Sequence, residues 1–356
     1  MIDPVSFLQT THTDAFLVSN FYNILYTTGF ETLSPSEREA YVLVTKERLY
    51  IITDSRYERG EVNETIVFSF TKEGKTVTDV IAELCKLHSV TSLGYEADNL
   101  TWNEVQKQEK MGPTLTPLSR TLASSRSIKS EEEIFAIKQA CHIGDLVLKD
   151  IIPYLHPGQT EKEIAWLIER SIREGYGAEL AFDPIVAVDE HSAIPHYNTK
   201  KGSGIIKEES LLLLDFGVKK HNYCSDITRM VGMGKVSDEI KKTYTNLLTA
   251  QKKTIENLQS NERLKDVDLF CRNELKKNNL PNYQHSTGHG VGLEVHESPR
   301  ISAVSEDIKK SGQVFTIEPG VYYPGKWGMR IEDTVTVSAQ GEIEVLTRFP
   351  KDLILL

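Results

Sequence analysis

Residues 211–231 read LLLLDFGVKKHNYCSDITRMV. Four leucines run into Asp215, with Gly217 two residues beyond it, and a second carboxylate, Asp226, lies in the closing stretch CSDITRMV. A short apolar run bounded by turn residues reads as a buried strand, and sequential strands of this length pair as hairpins. The arrangement returns near the end of the chain. VFTIEPG (314–320) ends in Glu318 with Gly320 two residues on, and RIEDTVTV (330–337) carries Glu332. Asp226 precedes Thr228 by two residues, as Glu332 precedes Thr334. Two such hairpins bring four carboxylates to matching heights and predict a pseudo-twofold domain with its site on the axis.

Carboxylates beside strongly apolar strands are rare unless they are paired or bound to metal. For any one of the four, an exposed acid or an arginine-paired acid explains the sequence equally well, and Arg229 and Arg330 are available partners. Four acids in a repeated pattern repel one another without cations, so the set points to metal.

Between the hairpins lies STGHGVGLEVHESP (286–299), with His289, His296 and three glycines, Gly288, Gly290 and Gly292. The glycines allow close backbone approach and unusual dihedrals. From Val291 onward apolar and polar residues alternate as in a strand. If the stretch is strand-like throughout, His289 and His296 face opposite ways. One is then a ligand and the other a proton donor or substrate contact. One histidine with four carboxylates is an oxygen-rich set that suits two divalent ions, with manganese, cobalt, iron and zinc all compatible. Such a pair can hold a bridging hydroxide, polarise a carbonyl and stabilise a tetrahedral intermediate. That is hydrolysis of an amide, ester or phosphate; the ligands alone do not say which. His196 sits in SAIPHYNT (192–199), a loop by composition.

Working outward, Ser130-x-x-Glu133 and Thr160-x-x-Glu163 are capping boxes that open helices, the second running to about Arg173. Ile134, Ile137, Ala140, Cys141 and Gly144 form the inner stripe of the first. Two further helices are expected near 237–258 and 265–277. The stretch SRTLASSRSIKS (119–130) lacks periodic apolar positions and marks a boundary, placing a first domain over 1–125 and a second over 126–356. In the first, 14–20, 41–53 and 65–70 read as strands and 76–88 as a helix with Val80, Ile81, Leu84 and Leu87 on one face. This is a small α/β domain.

A net charge of −10 argues against a nucleic-acid partner, which needs a basic face, and gives no support for anionic membranes. Four scattered cysteines make no C-x-x-C pair, so neither a disulfide scaffold nor a thiolate zinc site is expected. MIDPVSFLQT lacks a basic region and an apolar core, no apolar run approaches membrane-spanning length, and a cytoplasmic protein is expected.

Asp215, Asp226, His289, Glu318 and Glu332, in this order and context, resemble the five metal ligands of the pita-bread metallopeptidases. HSTGHGVGLEVHE (285–297) is similar to the signature of the Xaa-Pro aminopeptidase and prolidase branch, and DFG…SDITR, TIEPGVY and RIEDT match it too. The resemblance implies an α+β protein: a C-terminal pita-bread domain with a pseudo-twofold repeat, preceded by a smaller creatinase/prolidase-type α/β domain. It implies a dinuclear-metal exopeptidase that cleaves the bond between an N-terminal residue and proline by attack of a metal-bridging hydroxide. Manganese is the first expectation for the two ions, with cobalt, zinc or iron as alternatives. By the same resemblance Asp226 and Glu332 bridge the ions, Asp215 chelates one, and His289 and Glu318 bind the other. Glu318 also handles the nucleophile's proton. His196 and His296 contact the substrate, His285 lines the pocket on the proline side, and Tyr322 and Arg330 support the ligands. Short peptides with proline second are the implied partners, and a homodimer the implied assembly.

The family loop before His196 usually reads Gly-Pro-Asn-Ser-Ala. Here it is DEHSA, with Asp189 for the glycine and His191 for the asparagine, which puts the local turn in question. Arg300, in HESPR, is suited to gripping a substrate carboxylate bidentately, as a dipeptidase requires, or to a structural ion pair. Metal-free relatives, whether a creatinase-like hydrolase or a peptide-binding module, should lack the ligand set that this chain keeps. A methionine aminopeptidase is disfavoured by the first domain and by His285.

Overall fold

The computed structural model describes residues 2–31, 34–57, 65–71 and 74–356. The chain divides into two compact units, Met1–Ser125 and Arg126–Leu356.

The first unit runs α1 (Pro4–Thr11), β1 (Ala15–Val18), α2 (Phe21–Thr28), β2 (Tyr41–Val44), β3 (Leu49–Thr53), β4 (Ile66–Phe70), α3 (Val77–Leu87), β5 (Ser92–Glu96), α4 (Trp102–Gln108) and β6 (Thr114–Leu118). Its strands form one mixed six-stranded sheet, ordered β4-β3-β2-β1-β5-β6. The stretch 41–53 is a tight antiparallel hairpin, with Val44 opposite Leu49. β1 to β3 are buried at every position because both faces are covered. Phe16, Val18, Val42, Val44 and Ile51 pack on one side with Phe7 and Ile24. Ala15, Leu17, Leu43 and Ile52 pack on the other against Val80, Ile81 and Leu84 of α3.

After a short helix α5 (Ala123–Ser127), the second unit continues with α6 (Glu131–Ile151), α7 (Glu161–Arg170), β7 (Glu179–Leu180), β8 (Ile185–Val188), β9 (Leu211–Phe216), β10 (Val218–Lys220), β11 (Tyr223–Cys224) and β12 (Ile227–Gly232). There follow α8 (Asp238–Ser260), α9 (Leu264–Lys277), β13 (Gly288–Gly290), β14 (Glu297–Ile301), β15 (Val314–Ile317), β16 (Gly320–Tyr323), β17 (Trp327–Arg330), β18 (Asp333–Val337), β19 (Ile343–Val345) and β20 (Ile354–Leu355). Both capping boxes form: Ser130 with Glu133 on α6, and Thr160 with Glu163 on α7. α7 passes at Arg170 into a π turn over Ser171–Gly175.

The repeat takes the form of two nested hairpins. β9 and β12 pair antiparallel around a small β10–β11 hairpin, and β15 and β18 pair antiparallel around β16–β17. Their sheets are ordered β20-β12-β9-β8 and β14-β13-β15-β18-β19. Helices α6 and α7 cover Leu212, Leu214 and Phe216 through Val147, Leu148, Ile164 and Ile168. Helix α8 reaches both sheets, with Leu247 against Leu213 and Met230 and Leu258 against Phe315 and Val335. The registers of the two halves differ. Asp215 lies opposite Thr228, two residues beyond Asp226. In the second half the last pair is Ile317 with Asp333, so continuing the register sets Glu318 opposite Glu332. The carboxylates are thus offset in one half and level in the other, rather than level in both, because Asp215 lies within β9 whereas Glu318 lies just past β15.

Candidate metal centre

The two hairpins are joined across the unit by polar bonds at the level of the carboxylates. Thr334 Oγ1 donates to the Asp226 carbonyl at 2.9 Å, and Glu332 N donates to the Thr228 carbonyl at 3.3 Å. Asp226 and Glu332, which immediately precede β12 and β18, therefore face one another. β13 brings His289 to them. It can do so because Gly288 lies so close to β15 that a Cβ there would come within 1.9 Å of the Thr316 carbonyl oxygen. None of Gly288, Gly290 and Gly292 sits at positive φ, so close approach, not an unusual dihedral, accounts for them. Ligand atoms of Asp226, His289 and Glu332 all lie within 4.8 Å of one another, and all three residues are buried. Glu318 joins through His289, its Oε1 3.4 Å from Nε2. Asp215 is outside this group of three: its Oδ2 is ion-paired with Arg330. The arginine-paired alternative thus applies to Asp215 and, among the described residues, to none of the other three.

The electrostatics are those of a charge deficit. Asp226 is raised well above the ordinary carboxylate range by burial and then by Glu332, Asp215 and Glu318. Glu332 is raised likewise, by burial and then by Glu318 and Asp215. Burial, reinforced by Asp215, pushes Glu318 up to about 8. Among the described residues Asp215 Oδ1 and Asp226 Oδ1 find no hydrogen-bond partner although buried, an expensive condition for a carboxylate oxygen. His289 points Nδ1 at the Gly290 carbonyl, 3.2 Å away, which leaves the Nε2 lone pair turned to the carboxylates. Burial and the neighbouring His296 lower its pKa to about 3, so the ring is neutral, the form that ligates metal. Unpartnered oxygens, mutually repelling acids and a neutral imidazole make a donor set that fits divalent cations.

Around this centre Arg330 donates through Nη1 to Tyr322 Oη at 3.0 Å, and Tyr322 Oη lies 3.0 Å from His285 Nε2. His285 Nδ1 lies 2.8 Å from the Ser286 carbonyl, which fixes the tautomer with Nε2 as the acceptor. Burial and Arg330 lower His285 to about 4, and its ring stacks on Tyr283 at 4.6 Å. His196 and His296 are exposed at the mouth. His289 and His296 are side by side, ring centroids 4.2 Å apart. The expected opposite orientation fails because the strand ends at Gly290; the chain bends through 292–296 and returns with Glu297 opposite Gly290. Arg300 lies opposite His289 on β14, and directly paired residues share a sheet face. It is exposed, and among the described residues its side chain forms no ion pair. Asp189 adopts φ +50°, a region Asp tolerates better than most residues. It accepts from Leu211 N at 2.9 Å and Ser210 Oγ at 3.1 Å, so the turn forms with aspartate in the glycine position.

Three supports were not singled out in the sequence. Thr228 Oγ1 donates to Glu332 Oε2 at 2.6 Å and accepts from Arg330 Nε at 3.1 Å; the shared Thr two residues after each carboxylate was its signal. Buried Asp268 accepts from Thr287 at 2.6 Å and from Arg272, whose Nη2 also holds the His285 carbonyl at 2.9 Å. Glu161 is the third.

The model of metallopeptidase family M24 matches residues 136–339, and that of the creatinase/prolidase N-terminal domain matches residues 5–128. The chain belongs to family M24. The Xaa-Pro dipeptidase of Pyrococcus horikoshii is 32% identical over 98% of this chain and 97% of its own. A solved dipeptidase structure from P. horikoshii OT3 superposes with TM-score 0.90 at 33% identity, covering 99% of each chain. An X-Pro aminopeptidase from Thermotoga maritima superposes with TM-score 0.88 at 30% identity, covering 99% of this chain and all of its own. The protein is a metallopeptidase of the prolidase type, and the family implies divalent metal ions. Among the described residues no helix is long and apolar enough to cross a membrane.

Proposed function

We propose that this M24 peptidase hydrolyses the bond between an N-terminal residue and proline, using two divalent ions, manganese first among them. The observation that carries the reading is the buried, charge-deficient group Asp226, His289 and Glu332, with Glu318 and Asp215 at its edge. Asp226 and Glu332 would bridge the ions, Asp215 would hold one, and His289 and Glu318 the other. Divalent ions bound there supply Lewis acidity, acidifying water and polarising the scissile carbonyl.

The chain's own groups do the rest. Glu318 takes the proton from the attacking water and delivers it to the proline nitrogen as that bond breaks. His296 and His196 donate N–H to the substrate carbonyl as negative charge grows on its oxygen. A bond to proline has no N–H on its leaving side, so the pocket there needs shape rather than an acceptor. The stacked rings of His285 and Tyr283 with Tyr322 across them supply such a wall. Arg300, on the face of β14 that His289 shares, grips the C-terminal carboxylate of a dipeptide. The names of the dipeptidase relatives support that substrate class.

The test is a paired hydrolysis assay on manganese- or cobalt-loaded protein, with an Xaa-Pro dipeptide and an Xaa-Pro-Xaa tripeptide. Faster turnover of the dipeptide is expected. Preference for the tripeptide makes the enzyme an aminopeptidase and removes the assignment of Arg300; no hydrolysis of either, with metal shown to be bound, sinks the proline-peptidase reading.

A further inference from the structure

Glu161 opens α7, where an acid in sequence reads as one more complement to a helix N-terminus. Its side chain turns inward and is fully buried. Four donors meet it. Val188 N (2.9 Å) and His191 Nδ1 (2.8 Å) bond to Oε1; Tyr197 Oη (2.8 Å) and Gly204 N (2.9 Å) bond to Oε2. The His191 ring stacks on the Tyr197 ring with centroids 4.6 Å apart. A Cβ at Gly204 would lie 2.4 Å from the Glu161 carboxylate, so the chain closes on it only with glycine there.

All four donors belong to one segment, residues 188–204, and that segment carries His196. The His196 ring is exposed; its backbone is fixed from both sides. On one side Tyr197 hangs on Glu161. On the other the Pro195 carbonyl accepts from Arg330 Nη1 at 3.3 Å, and Arg330 pairs with Asp215. Burying a carboxylate is costly unless its oxygens are hydrogen-bonded; here they are, and an apolar side chain would strand four donors. What a carboxylate adds is direction: four donors converging on two oxygens define one loop conformation.

We propose that Glu161 is a positioning residue, the buried anchor on which residues 188–204 fold so that His196 meets the substrate. The proposal rests on the reading of His196 as a substrate contact.

The test is a double-mutant cycle on the manganese-loaded full chain with alanyl-proline as substrate, comparing wild type, Glu161→Gln, His196→Ala and the double variant. Glutamine keeps the shape but turns an NH2 toward two of the donors. Glu161→Gln should lower kcat about 10–100-fold with KM within about twofold. In the His196→Ala background the same change should cost less than about twofold. Amide hydrogen exchange on metal-free protein should accelerate over 189–204 and stay unchanged over 288–290. Where Glu161→Gln does not fold, Tyr197→Phe runs the same cycle with a loss of about tenfold in kcat, from one hydrogen bond to a charged acceptor. An equal loss in both backgrounds, or unchanged exchange over 189–204, overturns the positioning role and leaves the reading of His196 standing. Full activity of His196→Ala overturns that reading, and the proposal with it.

Discussion

Asp333 lies one residue beyond Glu332 and is wholly buried. Its Oδ1 accepts from Arg229 Nη2 and Thr347 Oγ1, each at 2.8 Å. Its Oδ2 accepts from Gln251 Nε2 at 2.8 Å and Lys351 Nζ at 2.6 Å. Arg229 is equally buried, and its Nη1 holds the Glu332 carbonyl at 2.5 Å. Asp333→Asn keeps the shape but leaves one acceptor oxygen. Lys351, a fifth exposed, can swing into water, so the new NH2 settles on that side and Arg229 keeps one bond while losing its neutralising charge. Removing one partner of a buried pair costs about 3–5 kcal/mol; the retained bond sets the loss near the lower end, about 3 kcal/mol. For a unit of this size that is a fall in Tm of about 6–12 °C. Urea unfolding of metal-free protein reads it by fluorescence. With Trp102→Phe as the common background, Trp166 and Trp327 report the second unit alone. Burial raises Asp333, but Arg229 and Lys351 outweigh it and hold it below 3.8. Its contribution is therefore present above that value and is lost as pH falls below it, so wild type and variant should converge in acid. A loss under about 1 kcal/mol at neutral pH, the worth of a surface pair, would refute the argument.

Thr228→Val removes the hydroxyl that orients Glu332 and should weaken manganese binding about 10–100-fold by calorimetry; unchanged affinity means that Thr228 does not act on the centre. Arg300→Ala should raise KM for alanyl-proline about 10–100-fold, the worth of a charged hydrogen bond, and leave a proline tripeptide within about threefold; equal effects on both would deny it the carboxylate. In the first unit, hydrogen bonds from the Thr91 side chain and the Thr91 and Ser92 backbone hold Asp14 down at about 2, from 3.8. Stability from Asp14 is thus complete above pH 4 and drains away toward pH 2; Asp14→Asn should flatten the acid limb of the unfolding curve there, and an unchanged limb would contradict the assignment.

The scaffold of the candidate metal centre was legible because its carboxylates sit on the strongest periodic signals. Asp215 and Glu318 end short apolar runs that read as strands, and the capping boxes at Ser130 and Thr160 form as read. What the sequence hid depends on contacts across the fold. Parity along 289–296 predicted opposed histidines, but parity holds only while the strand continues, and this one ends at Gly290. The partner of Arg330 was open between several acids until β17 and β9 met. Glu161 was masked by its own capping box, since an acid beside Thr160 on a helix start needs no tertiary explanation. Asp189 raised doubt as a missing glycine, and only Ser210 and Leu211, brought alongside by β9, show how aspartate holds the turn.

The most direct test of the metal centre is a titration of metal-free protein with manganese, counted by elemental analysis and followed by alanyl-proline hydrolysis on the same samples. Uptake of two ions per chain, with activity rising as they bind and both lost in Glu332→Gln, is the predicted result. Full activity after exhaustive chelation, or a folded wild-type chain that takes up no divalent ion, would contradict it.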